Sequence, residues 1–143
     1  MRITCVFLAL FFSFISCKNK TLKTELKEEL IMYQPSEMTE LMRTIYEFNK
    51  ASKIRIVDEK GLIEYPEEFQ KIKTAKLTDP DERDAEFDSL AIIFLKNQKA
   101  AFYSEADSVK FNFNRSINAC IECHRTRCTG PLPKIKKLLI PKS

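Results

Sequence analysis

The sequence is poor in several residue types, and each shortage excludes something. Among 143 residues there are two glycines, one histidine and no tryptophan. Two isolated glycines, Gly61 and Gly130, cannot supply the glycine-rich loop of a dinucleotide or P-loop nucleotide site. A single histidine, His124, excludes a multi-histidine zinc centre and a haem ligated by histidine on both faces. The formal charge of +4, from 24 basic and 20 acidic residues, carries no electrostatic footprint for nucleic acid. What remains is the composition of one globular domain, 44% hydrophobic and 31% charged. Cysteine stands out, with five in a short chain.

The first sixteen residues read as an export signal. Arg2 is followed by the apolar run Val6-Phe7-Leu8-Ala9-Leu10-Phe11-Phe12, and small residues follow towards Ser16-Cys17. The run is too short to span a bilayer, which takes roughly 20 apolar residues. Its end resembles a bacterial lipoprotein cleavage site, which implies lipid on Cys17 and a chain anchored in a membrane facing the periplasm or cell surface. Residues 1–16 are therefore assigned as signal peptide and 17–34 as lipidated N-terminus and tether. Residues 35–143 form the domain.

Within that domain the apolar spacing predicts helices. Ser36 is an N-cap with Glu37 and Glu40 in the first turn. Met38, Leu41, Met42, Ile45, Asn49, Ser52 and Ile56 then follow one face to Gly61, giving a helix over roughly 36–60. Pro66 opens a second helix carrying Phe69, Ile72 and Ala75 inward. Thr78-Asp79-Pro80 with Glu82 is a helix start, and the stripe Phe87, Leu90, Ala91, Phe94, Ala101, Phe102 runs to about residue 104. A fourth helix begins near Ala106–Asp107, carries Phe113, Ile117, Cys120, Ile121 and His124 on one face, and is closed by Thr129-Gly130-Pro131. No segment alternates as a strand does. The expectation is an all-α domain, an antiparallel four-helix bundle, with the Lys- and Pro-rich tail from Pro131 packed back along it.

The chemistry is concentrated at Cys120-Ile121-Glu122-Cys123-His124, the Cys-x-x-Cys-His pattern of covalent haem c attachment. Cysteines three apart on a helix are separated by about 4.5 Å along the axis and about 60° around it, so both thiols reach one porphyrin edge. The next residue aims its imidazole at the iron from the same segment. Two other readings use the same residues. Cys120, Cys123, His124 and Cys128 give the ligand count of a zinc site, and the two cysteines alone give a redox dithiol, although the βαβ setting of the thioredoxin type is absent.

A haem motif on the last helix of a four-helix bundle in an exported domain resembles the cytochrome c′ superfamily. At residue level the likeness rests on the motif and on Leu41-Met42-Arg43 in the first helix. The resemblance implies one covalent haem between the helices near one end of the bundle, with His124 as proximal ligand. It implies that the first helix supplies what faces the other side of the iron. Met42 takes the position of the methionine in six-coordinate, electron-carrying members, and Met38 lies one turn away as the alternative. An open distal site would make a five-coordinate protein that binds NO or CO. The resemblance also admits a homodimer through the first two helices, and pairs a basic residue past the motif, here Arg125 or Arg127, with a haem propionate.

The residues offer no constellation of acid, base and nucleophile. The expected function is that of a membrane-anchored single-electron carrier rather than an enzyme, serving a redox partner protein, with gas binding as the alternative. Cys128 has no assigned role.

Overall fold

The computed structural model describes residues 34–141. The signal peptide, Cys17 and residues 18–33 of the tether lie outside the described residues. Among the described residues every regular element is helical.

The first helix, α1 (Glu37–Val57), begins as its sequence dictates: the Ser36 hydroxyl accepts the Thr39 N–H at 3.1 Å. It stops earlier than the expected residue 60, because the chain turns through Glu59 (φ 55°) and Gly61 (φ 72°). Glycine adopts that backbone without a steric penalty, and Arg55 fastens the turn by donating to the Lys60 and Gly61 carbonyls at 2.8 and 3.0 Å. Met38, Leu41, Ile45, Asn49, Ser52 and Ile56 are buried, as the stripe predicted. Met42 lies at its edge, half-buried.

The second predicted helix is a short 3-10 segment, Glu67–Lys73. Phe69, Ile72 and Ala75 recur every three residues, which matches three residues per turn and buries all three on one side. Arg83 caps the segment's end by donating to the carbonyls of Lys73 and Ala75 at 2.8 and 2.7 Å.

The third predicted start is also displaced. Asp79 caps only the 3-10 turn Pro80–Glu82, while the long helix α2 (Ala85–Phe102) takes Asp84 as its cap, accepting the Phe87 N–H at 2.8 Å. Two acidic caps stand in tandem, and periodicity alone does not say which one opens the helix. After a three-residue connection α3 (Ala106–Thr126) returns antiparallel to α2. A single-turn helix, α4 (Leu132–Lys136), follows.

Three helices are locked in register by a buried polar chain. Gln98 of α2 donates to Asn49 Oδ1 of α1 at 2.9 Å, Ser116 of α3 donates to Gln98 Oε1, and Asn49 Nδ2 donates to its own helix at the Ile45 carbonyl. All three side chains are buried. Buried polar groups of this kind contribute little when satisfied and cost about 1–3 kcal/mol each when orphaned. Gln98→Leu is therefore expected to destabilise the protein by about 3 kcal/mol in denaturant titration, since Asn49 and Ser116 both lose a partner. Making all three positions apolar should restore most of that loss.

The core has two lobes. One gathers Met38, Leu41, Ile45, Phe69, Ile72, Phe87, Ala91 and Phe94, with Met42 against it. The other joins Ile56, Ala101, Phe113, Ile117 and Ile121 to the tail residues Ile135, Leu138 and Ile140. Side-chain hydrogen bonds to its backbone moor the tail. Lys53 donates to the carbonyls of Lys137 and Leu139 at 2.8 and 2.9 Å, and the Asn114 amide pairs with both backbone groups of Ile140. The expected packing of the tail is observed.

Candidate haem attachment site

Cys120, Cys123 and His124 all lie in the last two turns of α3. That stretch is helical because the apolar stripe Phe113, Ile117, Ala119, Ile121 is buried along its length. Cys120 packs against both core lobes. Burial pushes its thiol up to about 12, and the neighbouring Cys123 adds to the effect. Cys123 is half-buried, and its thiol is also raised, chiefly by burial, with Arg127 acting in the opposite sense. Both stay protonated at neutral pH. A redox-catalytic dithiol instead needs a lowered thiol pKa.

His124 is held in a specific state. Its Nδ1 lies 2.8 Å from the backbone carbonyl oxygen of Cys128. A carbonyl can only accept, so Nδ1 carries a proton, and in the neutral imidazole Nε2 then keeps the free lone pair. That is the arrangement by which a second group orients a metal-binding imidazole.

Met42 is brought to the same level by the helix register. Asn49 of α1 and Ser116 of α3 meet through Gln98. Two turns back along α1 is Met42, and two turns onward along the antiparallel α3 is Cys123. Met38 lies a further turn away, where its N–H donates to the Lys76 carbonyl at 3.0 Å. Tyr46, one turn from Met42, packs against the second lobe.

The two arginines past the motif are engaged elsewhere. Arg125 pairs with Glu122 on the exposed face of α3 at 3.0 Å. Arg127 forks onto Asp84, with bonds of 2.9 and 2.8 Å, and reaches Glu86 at 2.6 Å. The guanidinium holds the Asp84 carboxyl below its ordinary range. A carboxylate depressed in the folded state stabilises the fold above its unfolded pKa, so this contribution is lost only as acid takes the pH down through the folded value. Sequence spacing gave no warning of this pair, because the partners lie 43 residues apart.

Among the described residues no group of three or more His, Cys, Asp or Glu side chains stands close enough together to hold a metal ion. A cleft of about 630 Å³ between α1 and the 3-10 segment, lined by Leu41, Thr44, Lys71 and Ala75 among others, contains neither thiol nor imidazole.

The chain matches no protein-family model, and no curated protein and no solved structure matches it.

The thiols differ in access, which gives a direct check. In haem-free, folded protein an alkylating reagent should modify the exposed Cys128 first and Cys120 last. Peptide mapping against time should show Cys120 reacting freely only in denaturant.

Proposed function

We propose that this chain is the apoprotein of a mono-haem c-type cytochrome, a single-electron carrier exported through its leader and tethered to a membrane by lipid on Cys17. The carrying observation is the His124 imidazole, directly after the cysteine pair, with Nδ1 committed to a backbone carbonyl and Nε2 left free. The residues fit the group. Cys120 and Cys123 would hold it through thioethers, His124 would take the iron from one side, and Met42 would take it from the other. The apolar lobes that pack against Cys120 would keep water from that side of the group. When bound, the haem supplies one-electron exchange between ferric and ferrous iron, and methionine–histidine ligation suits a carrier.

The reading includes the antiparallel four-helix bundle. Its four members in that reading are α1, the segment Glu67–Lys73, α2 and α3, the second reduced to a short 3-10 turn. The partner is a redox protein; a homodimer would form through the first two helices.

The test is maturation of the protein in cells carrying haem-attachment machinery, followed by absorption spectroscopy. Haem that resists acid-acetone extraction, with a sharp low-spin reduced spectrum unchanged by CO, supports the carrier. Covalent haem with a broad high-spin spectrum shifted by CO replaces the carrier with a gas-binding protein and removes Met42 from the iron. Failure to attach haem, with one zinc bound instead, ends both readings.

A further inference from the structure

In the short segment between His124 and α4, the carbonyl that fixes the imidazole belongs to no helix. Cys128 follows the end of α3 at Thr126, where a carbonyl is free to point in many directions. Its two neighbours are each tied down. Thr129 accepts the Leu132 N–H at 3.1 Å, which anchors the far side to α4. Arg127 anchors the near side, with bonds to both Asp84 carboxylate oxygens, to Glu86, and a long contact to the Glu82 carbonyl. The Arg127 side chain is only 16% exposed, which sets it apart from the surface pairs of this protein. Asp84 is itself fixed, being the cap of α2.

We infer that Arg127 is a positioning residue: its fork onto Asp84 and Glu86 holds the Cys128 carbonyl against His124 Nδ1 and so sets the tautomer and basicity of the imidazole. The inference deepens the proposed function and rests on it only where iron is concerned. A hydrogen bond from Nδ1–H to a carbonyl makes the opposite nitrogen more basic. A more basic ligand favours ferric iron, so weakening the clamp should raise the reduction potential. Removing a cation near the iron would act in the opposite direction. Arg127→Lys keeps the charge and loses the planar fork, which separates the two effects.

The chain has one histidine, so its imidazole nitrogens are read by NMR without ambiguity. The full chain labelled with nitrogen-15 and expressed without haem is examined at pH 9, well above an ordinary imidazole pKa of about 6.5. The expected result is the Nδ1–H tautomer in the unaltered protein and its loss, towards the mixture of an imidazole in water, in Arg127→Lys and Arg127→Gln. Arg125→Gln should leave the tautomer alone. The Phe87 amide, bonded to Asp84, reports that the cap of α2 is intact in each variant. In haem-loaded protein, Arg127→Lys should raise the reduction potential without altering covalent attachment. An unchanged tautomer in both Arg127 variants, or an equal change in Arg125→Gln, overturns the assignment. So does an unchanged potential. If haem never attaches, the proposed function fails while the tautomer experiment still decides the role of Arg127.

Discussion

A chain that stops at Gly130 is expected to lose its cooperative unfolding transition. The tail residues Ile135, Leu138 and Ile140 are 6%, 5% and 6% exposed, and they complete the lobe formed by Ile56, Ala101, Phe113, Ile117 and Ile121. Truncating a buried Leu or Ile to Ala costs about 2–5 kcal/mol. Removing three whole side chains, with the backbone bonds from Lys53 and Asn114, sums to something like the roughly 5–15 kcal/mol by which a domain is stable at all. Leu138→Ala alone should cost about 3 kcal/mol and leave the transition cooperative. Circular dichroism against denaturant distinguishes the cases. A truncated protein with an unchanged midpoint would show that the tail contributes nothing to the core. The prediction also separates the tail's basic character from its structural part. Lys134, Lys136 and Lys137 are exposed, and their replacement by Gln should move the midpoint little.

These tail residues were legible in the sequence because apolar residues in a Lys- and Pro-rich segment have few uses other than packing. The stripes of α1, α2 and α3 were legible for the same reason, since a period of 3.6 residues reports a single buried face. The segment from Pro66 was not legible as 3-10, because Phe69, Ile72 and Ala75 satisfy both a one-turn α spacing and a period of three. The start of α2 was misplaced because Asp79 and Asp84 both have the chemistry of a cap. Only the cap with a long apolar stripe placed correctly behind it opens the helix, and Arg83, drawn back to the end of the 3-10 segment, keeps the first cap in a separate turn. Cys120, Cys123 and His124 announced themselves as a contiguous motif. The carbonyl of Cys128 and the fork of Arg127 did not, since the first is a backbone group and the second joins the end of α3 to the start of α2. A pattern read along one chain segment carries no information about such a closure.

Met42→Ala is expected to convert the reduced haem protein from low-spin to high-spin while leaving covalent attachment intact. Met38→Ala is expected to leave the spectrum unchanged and to lower stability by about 2–4 kcal/mol. The two methionines lie one turn apart on the same helix, but their surroundings differ. Met38 is 7% exposed, and its backbone is bonded to Lys76 beside the 3-10 segment, so its side chain fills core. Met42 is half-buried at the edge of that lobe, on the level where α3 presents Cys120 and Cys123. A thioether with room to turn can reach an iron, whereas one enclosed on all sides can only pack. Stability should respond in the opposite order to spin state, because truncating a half-buried side chain leaves little cavity. His124→Ala removes the other proposed ligand and should give a protein that holds its fold without haem yet shows no ordered low-spin spectrum when the thioethers form. The reverse outcome, with Met38→Ala changing the spin state and Met42→Ala sparing it, would mean that the first turn of α1 slides to bring Met38 to the iron. That slide would break the bond from the Met38 N–H to Lys76, which makes it visible as faster hydrogen exchange at that single amide.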